Sequence, residues 1–475
     1  MQNINIEKKL GVFSLVFFVV AAASPLTGFV GGVPIAMLLG NGAGVPGVYI
    51  LSGIILLLFS VGFITMSRYV KNSGAFYAYI SEGMGHKFGL SGLGVAVLTY
   101  IAIYLAVAAM FGLFAQLFFQ EYLGMVQPWW LYTLVMLLVV CWLGIEKIEI
   151  GSRILGVLMI LEIIIALIIA GASVNHAIET DTITFSSFSP SVIFHGNIGI
   201  ALVFALASFI GFESTAIYSE ECHQPEKTIP RATVIAVLLI TFFFAFCSWG
   251  IIQTYGVVRI QDKVAADPEL FVFNVAGLYF SKWITVAINL LLMTSLFAAT
   301  QSFHNNISRY FYSLAKDGLY WKPLARLHPT KGTPYISGIC GTLFMFICFS
   351  IVATLKLKPM IDVFTWGSTI ATISILVLQI FVSIAVVKYF KDRPQLAQKK
   401  WKVLYIPSIA IISMSLVLIV ILTNLQDISG ISSNLVYLMP LVVMGTAISG
   451  YLYALIIKKF KPELFSVLDN LVAEV

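Results

Sequence analysis

The sequence predicts an all-α integral membrane protein with twelve transmembrane helices, and three observations support this fold class. Hydrophobic residues make up 59% of the chain and charged residues only 11%, whereas about 25% of the residues in a soluble protein are charged. The apolar residues form long uninterrupted runs, and the charged residues lie between them. The runs approach the length of about 20 residues that a helix needs to cross a bilayer. We therefore expect a single membrane domain.

The predicted spans, called span one to span twelve below, follow the apolar runs in chain order. They comprise residues 10–39, 45–66, 89–119, 129–145, 150–171, 197–219, 232–255, 271–305, 335–355, 361–387, 403–422 and 434–457. Span one is too long for the apolar core of a signal peptide and lacks a clean cleavage site of small residues. The Ser- and Thr-rich loop 172–196 has room for a short helix.

The basic residues lie almost entirely on one side of this arrangement. Of the 28 Lys and Arg residues, all but five fall in the N-terminal segment, the C-terminal segment and alternate loops. The five exceptions are Arg259, Lys263, Lys282, Lys356 and Lys358. Because basic loops stay in the cytoplasm, we expect a multi-pass protein of the cell's inner (plasma) membrane with both termini cytoplasmic. The net charge of +6 then reflects topology and indicates no nucleic-acid partner.

Signatures of enzymes and metal sites are missing from the sequence. The five cysteines, Cys141, Cys222, Cys247, Cys340 and Cys348, form no CxxC pair, so neither a disulfide framework nor a zinc site is indicated. No HExxH or GxSxG motif and no Asp/His cluster is present. We expect no enzymatic activity, no catalytic residue, no metal and no cofactor.

Span one is interrupted at mid-membrane depth. Pro25 and Pro34 lack a backbone donor, and Gly28, Gly31 and Gly32 are poor helix formers. Irregular backbone at that depth must be buried in protein or line a wet cavity. We therefore predict that span one is a broken helix.

Span six shows a second interruption, where Gly211 stands two residues before the carboxylate of Glu213. Close packing of this glycine against a neighbouring helix is the alternative explanation. Spans one and six are equivalent if five helices are followed by five of inverted topology. Interrupted segments at matching places indicate a transporter site between the repeats. The exposed ends of broken helices can hold the carboxylate and the ammonium group of a zwitterion.

Two carboxyl groups lie near mid-membrane, Glu162 in span five and Glu213 in span six. An acidic residue at that depth costs about 2.5–3.5 kcal/mol and usually faces a cavity or a partner. No Lys or Arg lies at a comparable depth, so both groups are candidate proton carriers. The alternative is a permanently protonated group that donates to a backbone carbonyl. His304 is a third titratable group, for which simple packing is favoured.

The chain resembles the amino acid–polyamine–organocation (APC) superfamily of permeases in four stretches. They are residues 67–79 (SRYVKNSGAFYAY), residues 211–213 (GFE) with 220–232 (EECHQPEKTIPRA), residues 308–318 (SRYFYSLAKDG) and residues 328–334 (HPTKGTP). The first departs from the family's usual motif at Asn72 and Ala75. The second and third stretches together are specific.

This resemblance implies a leucine-transporter-type fold. It implies a first repeat of five helices (10–171), a second, inverted repeat (197–387) and two trailing helices (403–457), with helices one and six broken. It also implies alternating access with substrate bound between the two breaks. The implied substrate-binding residues are Ser24, Pro25, Leu26, Thr27, Gly28, Phe209, Ile210, Gly211 and Phe212. Tyr100, Tyr104 and Trp366 lie at depths where a gate would form, although simple packing is the alternative for each.

The resemblance implies secondary active transport of amino acids, coupled to protons through Glu213 or Glu162. Many relatives carry a lysine near the position of Glu162, and a Gly-Ser-Gly triplet that receives the substrate carboxylate where this chain has residues 24–28 (SPLTG). A polyamine or amine permease and an amino acid exchanger therefore stay open as alternatives. A nutrient sensor with a transporter fold is the alternative from another class. The expected partners are the small-molecule substrate, protons and membrane lipid, and the sequence leaves the oligomeric state undetermined.

Overall fold

A computed structural model describes residues 11–70, 76–146, 152–213, 215, 222, 224–316, 318–396, 399–429, 434–460 and 462. The regular elements of these residues are all helices, which agrees with the predicted fold class. They are Val12–Ala22, Pro25–Thr27, Gly28–Gly32, Val33–Ile35, Ala36–Asn41, Gly42–Gly44, Val45–Met66, Phe76–Met84, His86–Leu123, Trp129–Glu146, Ser152–Glu179, Ser186–Phe188, Pro190–Ile193, Ile198–Ala207, Pro225–Tyr255, Ile260–Ala266, Phe271–Tyr279, Lys282–Lys316, Lys322–Ala325, Tyr335–Thr354, Pro359–Phe364, Thr365–Asp392, Pro394–Leu396, Trp401–Tyr405, Ile406–Thr423, Leu425–Ser429, Asn434–Tyr437 and Leu438–Phe460.

Ten helical runs in the described residues are long and apolar enough to cross a membrane. One of them, Pro25–Met66, contains the second half of span one and all of span two, which meet at a kink at Gly40. Span six contributes the shorter apolar helix Ile198–Ala207. The chain is thus a multi-pass membrane protein, and the count of twelve spans stays a prediction.

The helices sort into an inner group and a peripheral group. In the most apolar stretch of His86–Leu123, 72% of the residues are buried inside the protein, and the fraction is 67% for Pro225–Tyr255 and for Pro359–Asp392. Only 17% are buried in Leu438–Phe460, whose other residues remain on the surface of the bundle. Span three packs against spans four, eight, ten and twelve. Span three therefore lies in the core of the bundle, in contact with both inner and peripheral helices.

Two predicted spans differ from the observed helices. Residues 271–305 were expected to form one span, but Phe271–Tyr279 is a separate short helix, because Phe280 has an extended backbone (φ −129°, ψ 161°). Span eight begins after this residue, as Lys282–Lys316. In span one, the irregular backbone is confined to Ala23 and Ser24, and the glycine- and proline-rich residues after them form helix with π-type turns.

The short helix expected in the loop 172–196 is present as Pro190–Ile193. The motif after span two continues into the helix Phe76–Met84, which packs against span ten. Burial raises the pKa of Glu82 on this helix, and the guanidinium of Arg393, 3.9 Å from its carboxylate, opposes the shift. Motif residues 71–75, 220, 221, 223 and 317 lie outside the described residues.

The contact between spans three and twelve gives a test of this packing. A methyl group added at Gly450 would lie 2.5 Å from the carbonyl oxygen of Leu90 and 2.8 Å from the Cα atom of Ser91. At Gly445, in the same helix, nothing lies within 4 Å of such a methyl group. We expect Gly450→Ala to destabilise the protein by about 1–3 kcal/mol, the usual cost of overpacking.

The measurement is thermal unfolding of the purified protein in detergent, with Gly445→Ala as the matched control. Equal melting temperatures for the two variants would show that spans three and twelve do not approach as closely as described.

Candidate functional site

Span one breaks at Ser24, where the helix Val12–Ala22 gives way to a second helix that begins at Pro25. Ser24 has a left-handed backbone conformation (φ 43°, ψ 72°), which is uncommon for a residue other than glycine. Pro25 suits the first position of the new helix, because its fixed φ is helical and its missing N–H needs no acceptor there. The N-terminus of the second helix therefore faces the interior of the bundle.

Span six breaks where the helix Ile198–Ala207 ends, and Ser208 to Glu213 form turns. Gly211 has φ 110°, a conformation that side chains disfavour. Its backbone N–H donates to Oε2 of Glu213 at 2.9 Å. The carboxyl group of Glu213 thus satisfies a backbone donor that the broken helix leaves without a helical partner.

The second oxygen of Glu213 is also hydrogen-bonded. The hydroxyl group of Tyr100, in span three, donates to Oε1 at 3.1 Å. The ring of Tyr100 lies against Phe303 and Tyr310 of span eight. Glu213 is 1% exposed, and its carboxyl group joins the break in span six to span three through Tyr100, whose ring in turn packs against span eight.

Glu162 makes the equivalent connection at the break in span one. Its Oε2 accepts a hydrogen bond from the hydroxyl group of Ser295, in span eight, at 2.7 Å. The backbone N–H of Leu26 also interacts with this carboxyl group. Leu26 is the second residue of the helix that begins at Pro25. A single carboxyl group that is 4% exposed therefore connects spans one, five and eight.

A cavity of about 40 Å³ lies between the two breaks. It is lined by Ala23, Ser24, Thr27, Gly28, Gly32, Ile103, Val107, Phe204, Ala207, Ser208, Ile210, Ala299, Phe303, Phe364 and Ser368. This volume holds a few water molecules at most, and it is far smaller than the roughly 300–1,000 Å³ of a typical small-molecule site. The lining must therefore move apart before an organic molecule can enter.

The described lining is apolar apart from a few hydroxyl groups and exposed helix ends. The hydroxyls of Thr27 and Ser368 are buried and find no hydrogen-bond partner among the described residues. The hydroxyl of Ser208, by contrast, donates to the carbonyl of Phe204 and lies 3.2 Å from the hydroxyl of Tyr49. Thr27 and Ser368 thus present buried hydroxyl groups to the cavity that have no partner among the described residues.

Four of the residues that the resemblance implied for substrate binding line the cavity, namely Ser24, Thr27, Gly28 and Ile210. The remaining ones lie elsewhere. Leu26 is fully buried beneath the lining with Pro25, and Gly211 is held by Glu213.

Phe209 and Phe212 are absent from the cavity lining. Together with Gln379 they line a separate, smaller space. Phe212 also packs edge-on against Phe59 of span two. These two phenylalanines therefore belong to the packing around the break.

The gate aromatics also lie outside the cavity lining. Tyr100 holds Glu213, the ring of Tyr104 packs edge-on against His304, and Trp366 is half-buried. The lining instead uses pairs of residues four apart on one helix face: Ile103 and Val107, Ala299 and Phe303, Phe364 and Ser368. Span three is apolar on all sides, so its sequence periodicity did not mark the face that turns to the cavity.

Comparison with known proteins shows similarity to permeases. The profile of the amino acid permease family matches residues 10–447. The low-affinity putrescine importer PlaP of Escherichia coli is 23% identical over 344 residues, which cover 70% of this chain and 72% of PlaP. The branched-chain amino acid permease BcaP of Bacillus subtilis is 24% identical over 57% of this chain and 54% of its own length.

Two further comparisons extend this similarity. The D-serine/D-alanine/glycine transporter of Escherichia coli is 26% identical over 41% of this chain and 40% of its own length. A crystal structure of the manganese transporter of Eremococcus coleocola superposes on this chain with a TM-score of 0.55 at 10% identity, covering 95% of this chain and 97% of that one. At this identity the superposition shows a shared fold.

The hydrogen bond from Tyr100 to Glu213 can be tested by substitution. Removing its hydroxyl takes away one of the hydrogen-bond donors to the buried carboxyl group of Glu213, and we expect Tyr100→Phe to lower the free energy of unfolding by about 1–3 kcal/mol. The hydroxyl of Tyr104, in the same helix, has no hydrogen-bond partner among the described residues. Tyr104→Phe is therefore the matched control and should be neutral. Thermal unfolding in detergent measures both, and a neutral Tyr100→Phe would contradict the role given to Glu213.

Proposed function

This chain belongs to the amino acid permease family and is a transporter rather than an enzyme, and on that premise we propose that it carries neutral amino acids by alternating access. The observation that carries the proposal is the cavity between the breaks of spans one and six. The distribution of basic residues supports a location in the plasma membrane with both termini in the cytoplasm.

The two helix ends at the cavity suit the two charges of an amino acid. Thr27 lies at the N-terminus of the second helix of span one, where the helix dipole favours an anion. Ala207 and Ser208 lie at the C-terminus of the helix Ile198–Ala207, where the dipole favours a cation. A zwitterion placed between them would direct its carboxylate toward Thr27 and its ammonium group toward Ser208.

The walls of the cavity favour a neutral side chain. Ile103, Val107, Phe204, Phe303 and Phe364 are apolar, and the described lining contains no acidic or basic residue. A diamine would need an anionic partner for its second ammonium group. Glu162 and Glu213 flank the cavity without lining it. An amine is nevertheless the second candidate, because Glu162 reaches Leu26, the residue next to Thr27.

Proton coupling is assigned to Glu162, and Glu213 is assigned to positioning. Glu213 is held by a backbone N–H of its own break and by Tyr100. Glu162 instead joins the break of span one to Ser295 of span eight. Protonation or deprotonation of Glu162 would change the hydrogen bonds that join span one to span eight. The position of span one would then depend on whether Glu162 carries a proton.

Uptake into proteoliposomes tests the proton coupling. We expect labelled neutral amino acids to accumulate when the lumen is alkaline relative to the medium, because one proton per substrate supports roughly tenfold accumulation per pH unit. Glu162→Gln should abolish this accumulation but retain exchange of amino acid across the membrane. Glu213→Gln, the other buried carboxyl group, should keep the response to the gradient at a lower rate. Uptake that requires sodium, or that ignores the pH gradient, would contradict proton coupling.

The orientation of the substrate can be tested at Thr27. Thr27→Val keeps the shape of the side chain and removes the hydroxyl, so we expect KM to rise roughly 5- to 30-fold for the loss of about 1–2 kcal/mol of hydrogen bonding. Thr342, in span nine, also has a buried hydroxyl without a partner among the described residues, but it lies outside the cavity lining. Thr342→Val is the matched control, and an equal effect of both changes would rule out direct contact at Thr27.

A further inference from the structure

We infer that the carboxyl group of Glu162 and the carboxylate of the substrate share one helix N-terminus, so that an amino acid binds only when Glu162 is protonated. This inference rests on the proposed function. It attributes the coupling between proton and substrate to the backbone N–H groups of the helix turn that begins at Pro25.

Few donors are available at this helix end. Pro25 has no N–H, and the N–H of Gly28 donates to the carbonyl oxygen of Ser24 at 3.1 Å. The N–H of Leu26 interacts with Glu162. Thr27 is the remaining residue of the first turn. A substrate carboxylate bound at Thr27 would therefore lie directly beside the N–H of Leu26, with which Glu162 interacts.

The side chains around this helix end provide hydrogen-bonding groups that a ligand can use. The hydroxyl of Thr27 is 5% exposed and lines the cavity without a hydrogen-bond partner among the described residues. The hydroxyl of Ser368, which lines the same cavity, is fully buried and likewise has no partner there. Two unpartnered hydroxyl groups beside a helix N-terminus are the donors that a carboxylate requires.

Two carboxylates on one helix turn repel each other strongly in a buried site, where the effective dielectric constant is low. Protonation of Glu162 removes the repulsion, and the neutral carboxyl group becomes a hydrogen-bond donor. The proton comes from the aqueous phase and no covalent bond is made. A proton on Glu162 and an amino acid at Thr27 therefore favour each other, whereas an amine without a carboxylate has no such requirement.

Among the titratable groups around span five, Glu162 is the one whose protonation is linked to substrate binding. Span one contains no titratable side chain from Val12 to Thr27. The other helices that pack against span five carry titratable or charged groups, and these lie at other places along the helices. They are Glu226, Lys227, Arg231, Cys247 and Tyr255 in span seven, Tyr279 in the short helix before span eight, and Lys282, His304, Arg309, Tyr310, Tyr312 and Lys316 in span eight.

Equilibrium binding to the purified full-length protein tests the inference. The probes are L-alanine and L-leucine, and their decarboxylated counterparts ethylamine and isoamylamine, each measured over a series of pH values. For one linked proton, we expect amino acid affinity to fall by up to about tenfold per pH unit as the pH rises above the protonation midpoint of Glu162. Glu162→Gln should bind the amino acids with the affinity that the unsubstituted protein shows at low pH, without the slope.

Glu121→Gln is the control, because Glu121 pairs with Lys282 at the surface of the protein. This variant should keep the full pH slope. A second variant keeps the inference testable if Glu162→Gln does not fold. Ser295→Ala removes the donor to Glu162 and so disfavours its charged form, which should move the midpoint of the pH slope to higher pH.

The outcomes separate this inference from the proposed function. Amino acid binding with an unchanged pH slope in Glu162→Gln, or an unchanged midpoint in Ser295→Ala, would overturn the inference and leave amino acid transport standing. Binding of the amines alone at every pH would overturn the proposed function and the inference with it.

Discussion

Backbone groups inside a membrane must be hydrogen-bonded, and the two helix breaks are the places where this constraint is hardest to meet. The chain meets it with side-chain carboxyl groups. Glu213 accepts from the N–H of Gly211, and Glu162 interacts with the N–H of Leu26. Each carboxyl group also accepts from a hydroxyl on another helix, Tyr100 or Ser295. The groups that make the breaks tolerable are thus the two mid-membrane acids.

Neighbouring helices enclose one cavity between the breaks of spans one and six. Spans three, eight and ten contribute one face each to the cavity between the breaks, through side chains four residues apart. The cavity is small because these faces pack closely, and its two helix ends carry opposite partial charges. In the proposed transport cycle, movement of span one relative to span eight opens the cavity and stretches the connection through Glu162. Binding, opening and protonation would then all act on the same few contacts.

Transporters named for different substrates share this fold. A manganese transporter superposes on nearly the whole chain at 10% identity, whereas the relatives at 23–26% identity are a putrescine importer and amino acid permeases. Ten membrane-length helices therefore do not identify a substrate. The proposed amino acid substrate rests instead on the residues at the breaks, because the described cavity lining offers hydroxyls, helix ends and apolar side chains and holds no carboxylate, the side-chain ligand that suits manganese.

The sequence by itself determined the membrane class, the family and the two interrupted helices, and it singled out Glu162 and Glu213, which the structure shows to be buried. These follow from local properties: the length of apolar runs, the backbone limits of proline and glycine, and the cost of charge in hydrocarbon. Only the tertiary structure decided that Ile103 and Val107 of span three, rather than Tyr100 and Tyr104, face the cavity. An inner helix is apolar all round, so its periodicity does not distinguish the face that meets a cavity from the face that meets a neighbouring helix. The hydroxyl donors to the two acids were undetermined as well, because Tyr100 and Ser295 lie more than a hundred positions from Glu213 and Glu162 in the chain.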